Sequence, residues 1–322
     1  MTALARGPVA RRGLALGGAL LLAACHSPRV GPPPDAPSVA RPMAAMPADL
    51  DLVVRLDLKR IRDTLGAPAM SALSEQAVHG LRGADSATDA LLLSALKGTD
   101  TLWLGLRPTS TLQAADSVFV MSGHFPDFDP HRARSTPPFG APVDLGGTLR
   151  RFDREQPPAR SAPARIYVHG DDLVVSLSAA EIDSVERSLE EERGAPPLEP
   201  AEKGVLSAVA RPRALPADLF AGSDALRRVA QRAVRLELSA DLSAAGVDAT
   251  LALRFEDPTA AERVGTALSD LRDALKSSPG RLGKFAARLK VTNAAEYVTL
   301  QLALERDELS QLVNCRGSAC SW

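Results

Sequence analysis

Two nine-residue runs in the last third of this 322-residue chain, at 234–242 and 247–255, alternate between apolar and polar side chains. Leu236, Leu238, Ala240 and Leu242 fall on one side of the first run, and Val247, Ala249, Leu251 and Leu253 on one side of the second. Arg235, Glu237, Asp241, Asp248 and Arg254 fall on the other. Successive side chains of a strand point to opposite faces, so each run reads as a strand with one buried and one wet face. A parallel sheet, covered on both faces, would need near-continuous apolar runs instead. Ser243-Ala244-Ala245-Gly246 between the runs is turn chemistry, and the pair reads as an antiparallel hairpin. Its register is specified, because a slip of one residue would send every leucine to solvent.

The same alternation predicts a strand at 51–58, with Leu52, Val54, Leu56 and Leu58 on one face and Asp51, Arg55 and Asp57 on the other. Further strands are expected at 101–106, 117–125, 148–153, 289–292 and 297–304. A hairpin is expected over 165–178, closed by His169-Gly170-Asp171-Asp172. Helical spacing appears at 59–80, 88–97, 223–233, 281–289 and 306–313. Ser178-Ala179-Ala180-Glu181 reads as a capping box opening a helix through Ile182, Val185 and Leu189. Asp257-Pro258 supplies an N-cap and a first-turn proline for a helix whose Val264, Leu268, Leu271 and Leu275 share a face. Hairpins mixed with helices predict an α+β fold, an antiparallel sheet with helices packed on one face. The proline-rich stretch 194–200 divides it into two halves of similar size, 47–195 and 201–322. Only 4% of residues are aromatic, so the core is expected to be Leu, Val and Ala.

The N-terminus carries a different signal. Residues 1–24 hold Arg6, Arg11 and Arg12 with no acid, then an apolar run at 13–24 that is too short for the roughly 20 residues a spanning helix needs. This is the pattern of an export signal. Leu22-Ala23-Ala24-Cys25 resembles the bacterial lipobox. The resemblance implies lipidation of Cys25, cleavage before it, and attachment to the membrane through acyl chains such as palmitate. His26 stands where lipoproteins retained in the inner membrane typically carry Asp, which points to the outer membrane. Residues 27–46 include six prolines and read as a semi-rigid tether from the lipidated Cys25 to the folded part, so 25–46 form one segment.

The stretch from Pro47-Ala48-Asp49-Leu50 to Arg62 resembles the start of a group of uncharacterised bacterial envelope lipoproteins, and the segments from Gly146-Gly147 to Leu189 resemble the same group. That resemblance implies an envelope location and an α+β body, and it brings no catalytic residue.

Charge excludes one class of partner. The chain has 38 basic and 39 acidic residues, a net charge of −1, and removal of 1–24 takes away three arginines and no acid, which leaves −4. Nucleic acid is therefore not an expected partner. The most reactive stretch is His124, Asp127, Asp129 and His131, two imidazoles and two carboxylates that together suit a divalent metal such as zinc, copper or nickel. No serine sits in a G-x-S-x-G elbow, and neither a phosphate loop nor H-E-x-x-H occurs, so no catalytic residue and no cofactor is assigned. Cys315 and Cys320 lie five positions apart in an exported chain and are expected to pair as a disulfide. The function expected is a non-enzymatic envelope module with an interaction or structural role, which the absence of catalytic motifs favours; the alternative is a carrier of lipid or another apolar ligand, and the least favoured is a metal-dependent or hydrolytic enzyme centred on His124–His131. A large apolar cavity would favour the carrier, and converging polar groups in a cleft the enzyme.

Overall fold

Every pair of neighbouring strands in the structure is antiparallel, as the alternating runs require. The structure is a computed structural model that describes residues 42–66, 86–109, 115–131, 138–156, 162–190, 198–216 and 224–308. Its strands are β1 (Leu52–Asp57), β2 (Thr99–Arg107), β3 (Asp116–Gly123), β4 (Val143–Asp144), β5 (Leu149–Asp153), β6 (Arg165–His169), β7 (Leu173–Leu177), β8 (Leu206–Ala210), β9 (Arg235–Leu242), β10 (Gly246–Arg254), β11 (Lys290–Ala294) and β12 (Tyr297–Glu305). The helices are α1 (Leu58–Leu65), α2 (Ser86–Gly98), α3 (Ile182–Glu190), α4 (Asp224–Arg232), α5 (Pro258–Lys276) and α6 (Arg281–Arg288). Cys25, Cys315 and Cys320, the tether up to residue 41, and most of the expected helices at 59–80 and 306–313 lie outside the described residues.

All twelve of these strands belong to one sheet, ordered β11-β12-β10-β9-β8-β1-β2-β3-β7-β6-β5-β4. The fold class is α+β. Strands from residues 206–305 occupy one end and strands from 52–177 the other, and they meet where β1 pairs with β8, Val53 opposite Val209.

The two ends are layered differently. Over the second, β9, β10 and β12 turn Leu236, Leu253, Val298 and Leu300 to a front face, where they pack with Ala261, Val264 and Leu268 of α5. Arg235, Glu237, Asp248 and Thr299 take the opposite face, as the alternation dictates. Among the described residues, helices cover one face only here. Over the first end, the front face packs Leu102, Met121, Ile166 and Val174 against Leu58 and Ile61 of α1 and Leu91 and Ala95 of α2. The back face there is apolar too. Val53, Val118, Val120, Val175 and Leu177 pack on Met46 and Leu50 and on Val185 and Leu189 of α3. The single helical face expected from the sequence thus holds for the second end, whereas the first has a further layer behind it. The reason is visible in β7, Leu-Val-Val-Ser-Leu, whose five residues are all buried.

Residues 178–182 depart from the expected capping box. The Ser178 side chain makes no cap bond to its own helix, and its Oγ accepts instead from the backbone N–H of Ser117 on β3 at 3.1 Å. Glu181 is fully buried and pairs with Arg107. A tertiary partner has taken each capping group, so a short 3₁₀ turn, Ala179–Glu181, precedes α3.

Candidate functional site

One candidate site is built on the β9–β10 hairpin. Leu238 of β9, Ala249 and Leu251 of β10, and Leu300 and Leu302 of β12 form an apolar floor on the front face. Leu268, Leu271 and Leu275 of α5 and Phe285 and Ala286 of α6, with Leu289, form the walls. Between them lies a cavity of about 390 Å³. That volume falls within the range of small-molecule sites, roughly 300–1,000 Å³.

The cavity exists because α5 follows the sheet closely at one end only. Asp257 caps the helix, its Oδ1 accepting from the N–H of Ala260 at 2.7 Å. Gly265 then allows a close approach to β11, since a Cβ there would lie 1.9 Å from Asn293 Oδ1. Ala261, Val264 and Leu268 are buried along this half. Beyond it Leu271 is 41% exposed and Leu275 half-buried, and below them Leu238, Leu251, Leu300 and Leu302 are half-buried as well. After the Ser277-Ser278-Pro279-Gly280 turn, where Gly280 has φ 83°, α6 packs back on α5 and closes one side.

Among the described residues, Arg272 is the sole ionisable side chain in the lining. Its Nε and Nη2 donate to the two carboxylate oxygens of Asp273 at 2.9 and 3.1 Å, and Lys276 Nζ reaches the same carboxylate at 2.8 Å. The guanidinium, and next the ammonium, pull the Asp273 pKa down to about 2. Arg288 stands beside the Phe285 ring, 5.5 Å from its centroid, and is committed to Glu308 at 2.6 Å. That pairing lowers the Glu308 pKa and raises that of Arg288.

The four residues singled out as metal ligands are not brought together. Phe125 and Phe128 turn inward and pack edge to face, which splays the loop between them and leaves His124 and Asp127 exposed. The Asp129 carboxylate accepts from the backbone N–H of His131 in a local turn, and His131 Nδ1 lies 3.2 Å from the carbonyl of Phe139. Among the described residues, no group of three or more His, Cys, Asp or Glu side chains is placed to hold a metal ion. A shallow depression of about 160 Å³ lies beside His124 and Asp127, lined also by Ser94 and Gly98.

Two partly buried charge clusters have no counterpart in the sequence pattern. Arg107 donates from Nε and Nη2 to the carboxylate of Glu181 at 2.8 and 3.2 Å, and from Nη2 to Asp49 at 2.9 Å. The Arg107 guanidinium holds the Asp49 carboxyl below its usual pKa, and the Arg107 pKa is itself raised, chiefly by Glu181. Arg165 binds Asp153 and Glu186, and Tyr167 donates to the same Glu186 at 3.1 Å. Burial lowers the Arg165 pKa, yet its bonds to Asp153 and Tyr167 carry the balance upward, while burial raises the Tyr167 phenol. Each cluster ties an element of the back layer to the sheet, and neither lines the leucine-walled cavity or the depression beside His124. The partners are 74 and 21 residues apart, beyond any local pattern.

Among the described residues, no helix is long and apolar enough to cross a membrane. No protein-family model matches the chain, and no curated protein matches its sequence. Solved structures do resemble it. Crystal form III of TP0453 is similar with a TM-score of 0.51 at 9% identity, covering 85% of this chain and 98% of that one. Crystal form IV of TP0453 gives 0.50 at 8% identity, covering 85% and 97%. At such identity, what this chain shares with TP0453 is the α+β fold.

Proposed function

We propose that this chain is an envelope lipoprotein, anchored through lipid on Cys25 to the outer membrane, that carries an apolar ligand in the cavity between β9, β10, β12 and the α5–α6 pair. The single observation behind the carrier reading is that cavity, leucine-lined and half open. The floor leucines Leu238, Leu251, Leu300 and Leu302 are only half-buried beneath α5 and α6, so an apolar molecule filling the space removes more of their surface from water. Each methylene buried there contributes about 0.8 kcal/mol. Export and anchoring rest on the signal at 1–24 and the lipobox Leu22-Ala23-Ala24-Cys25. Of the three functions open to the sequence, an apolar cavity favours the carrier over the interaction module, and the splayed His124–His131 loop gives the enzyme no support.

Displacement of a fluorescent apolar probe tests the reading. The wild-type chain should bind the probe, and Ala249→Phe, which fills the floor of the cavity, should abolish binding while the chain still melts cooperatively. Equal binding by the folded variant and the wild type would place the ligand elsewhere.

A further inference from the structure

We infer that the ligand is a single-chain anionic amphiphile, one acyl chain with a carboxylate or phosphate head that lies against Arg272 and Lys276. This rests on the reading of the cavity as a carrier site and adds the number of chains and the sign of the head.

Volume sets the first. A dry cavity of roughly 150 Å³ accommodates one benzene. The cavity here is about 390 Å³. It therefore has room for roughly two to three six-carbon units, or one chain of about 12–18 carbons. Two chains of that length do not fit.

Charge sets the second. The lining offers an amphiphile one ionisable group, and it is a cation, Arg272. Lys276 follows four residues later and so stands one turn along the same side of α5. Both share the one carboxylate of Asp273, so each cation is only part-neutralised by that partner. The Arg272 side chain is only 21% exposed, so its field is less screened than that of a fully solvated arginine. Planar guanidinium matches carboxylate or phosphate oxygens with paired donors. Arg288, beside Phe285, has two carboxylates to itself, Glu308 and Glu305, whereas Arg272 and Lys276 share one. A cationic head would be repelled here, and a neutral one would gain only the burial of its chain.

The test uses the full chain carrying Cys25→Ser, which removes the lipid attachment site. Probe displacement is measured with hexadecanoate, hexadecyl phosphate, hexadecanol, hexadecyltrimethylammonium and dipalmitoylphosphatidylglycerol. At least one of the two single-chain anions should bind about tenfold tighter than hexadecanol, and the tighter of the two identifies the head. The ammonium and the two-chain lipid should bind more weakly than that anion. In Arg272→Gln, and separately in Lys276→Gln, the ratio of anion to alcohol affinity should fall toward one. Hexadecanol equal to both anions, or a ratio unmoved by both substitutions, would overturn the charge assignment. Equal binding of the two-chain lipid would overturn the chain number. In both cases the cavity remains a carrier site, whereas failure of every amphiphile to displace the probe would overturn both readings.

Discussion

Arg107 joins the end of β2 to the carboxylate of Glu181 ahead of α3 and to Asp49. Glu181 is fully buried, so removing its partner leaves an uncompensated charge in the interior. Arg107→Ala should cost about 3 kcal/mol in a urea melt, the lower end for breaking a buried pair. The same group gives a pH signature. Asp49 has a depressed folded-state pKa, so its contribution is present above the unfolded value near 3.9 and is lost as pH falls through the lower folded value. The urea midpoint should therefore fall below about pH 4, and Arg107→Gln should flatten that dependence. Gly246 is the second residue with a clear cost. It has φ 151°, and a Cβ there would lie 1.9 Å from the carbonyl oxygen of Leu304, a backbone atom that cannot swing aside. Gly246→Ala should destabilise by about 1–3 kcal/mol in the same melt. At the loop of His124, Asp127, Asp129 and His131, zinc, copper or nickel should leave the thermal melt unchanged, because those side chains are turned to separate tasks.

The helix that walls the cavity depends on how it begins. Asp257 caps α5 and Pro258 fixes its first turn, and both are legible in the sequence as a dipeptide ahead of a helically spaced apolar stripe. Asp257→Ala should cost about 1 kcal/mol, read from the urea midpoint. The β9–β10 hairpin is legible for the same kind of reason, since its alternation and turn are local and its pairing, Leu251 opposite Leu238, follows from them. Elements held by distant partners are not. β8, Leu-Ser-Ala-Val-Ala, has no alternating apolar stripe and becomes a strand because β1 and β9 flank it. The capping box at Ser178 fails because Ser117 and Arg107 compete for its two side chains. Half of the site was readable in this sense. Val264, Leu268, Leu271 and Leu275 mark one face of α5, but their spacing does not say that the first two are buried while Leu271 is exposed. That difference is set by Gly265 against Asn293, a contact across 28 positions of sequence.

At the scale of the molecule, the two ends of one sheet solve the burial problem in different ways. The first is covered front and back and holds most of the buried residues. The second has a polar back face, a small core around Phe255, Val264 and Val298, and the apolar cavity beside it. On the carrier proposal the ligand binds at the second end, where the leucines are left half-buried. Binding there should raise the melting temperature, and the rise should grow with the logarithm of free ligand concentration above Kd, as for any ligand of the native state. The carrier account is tested most directly by native mass spectrometry, with solvent extraction of the same sample, on the chain purified from the cell envelope without added lipid. The account predicts a mass increment of one single-chain amphiphile per chain, present in wild type and absent in Ala249→Phe. A wild-type chain with no bound species beyond its own covalent lipid, or an increment that persists in Ala249→Phe, would contradict it.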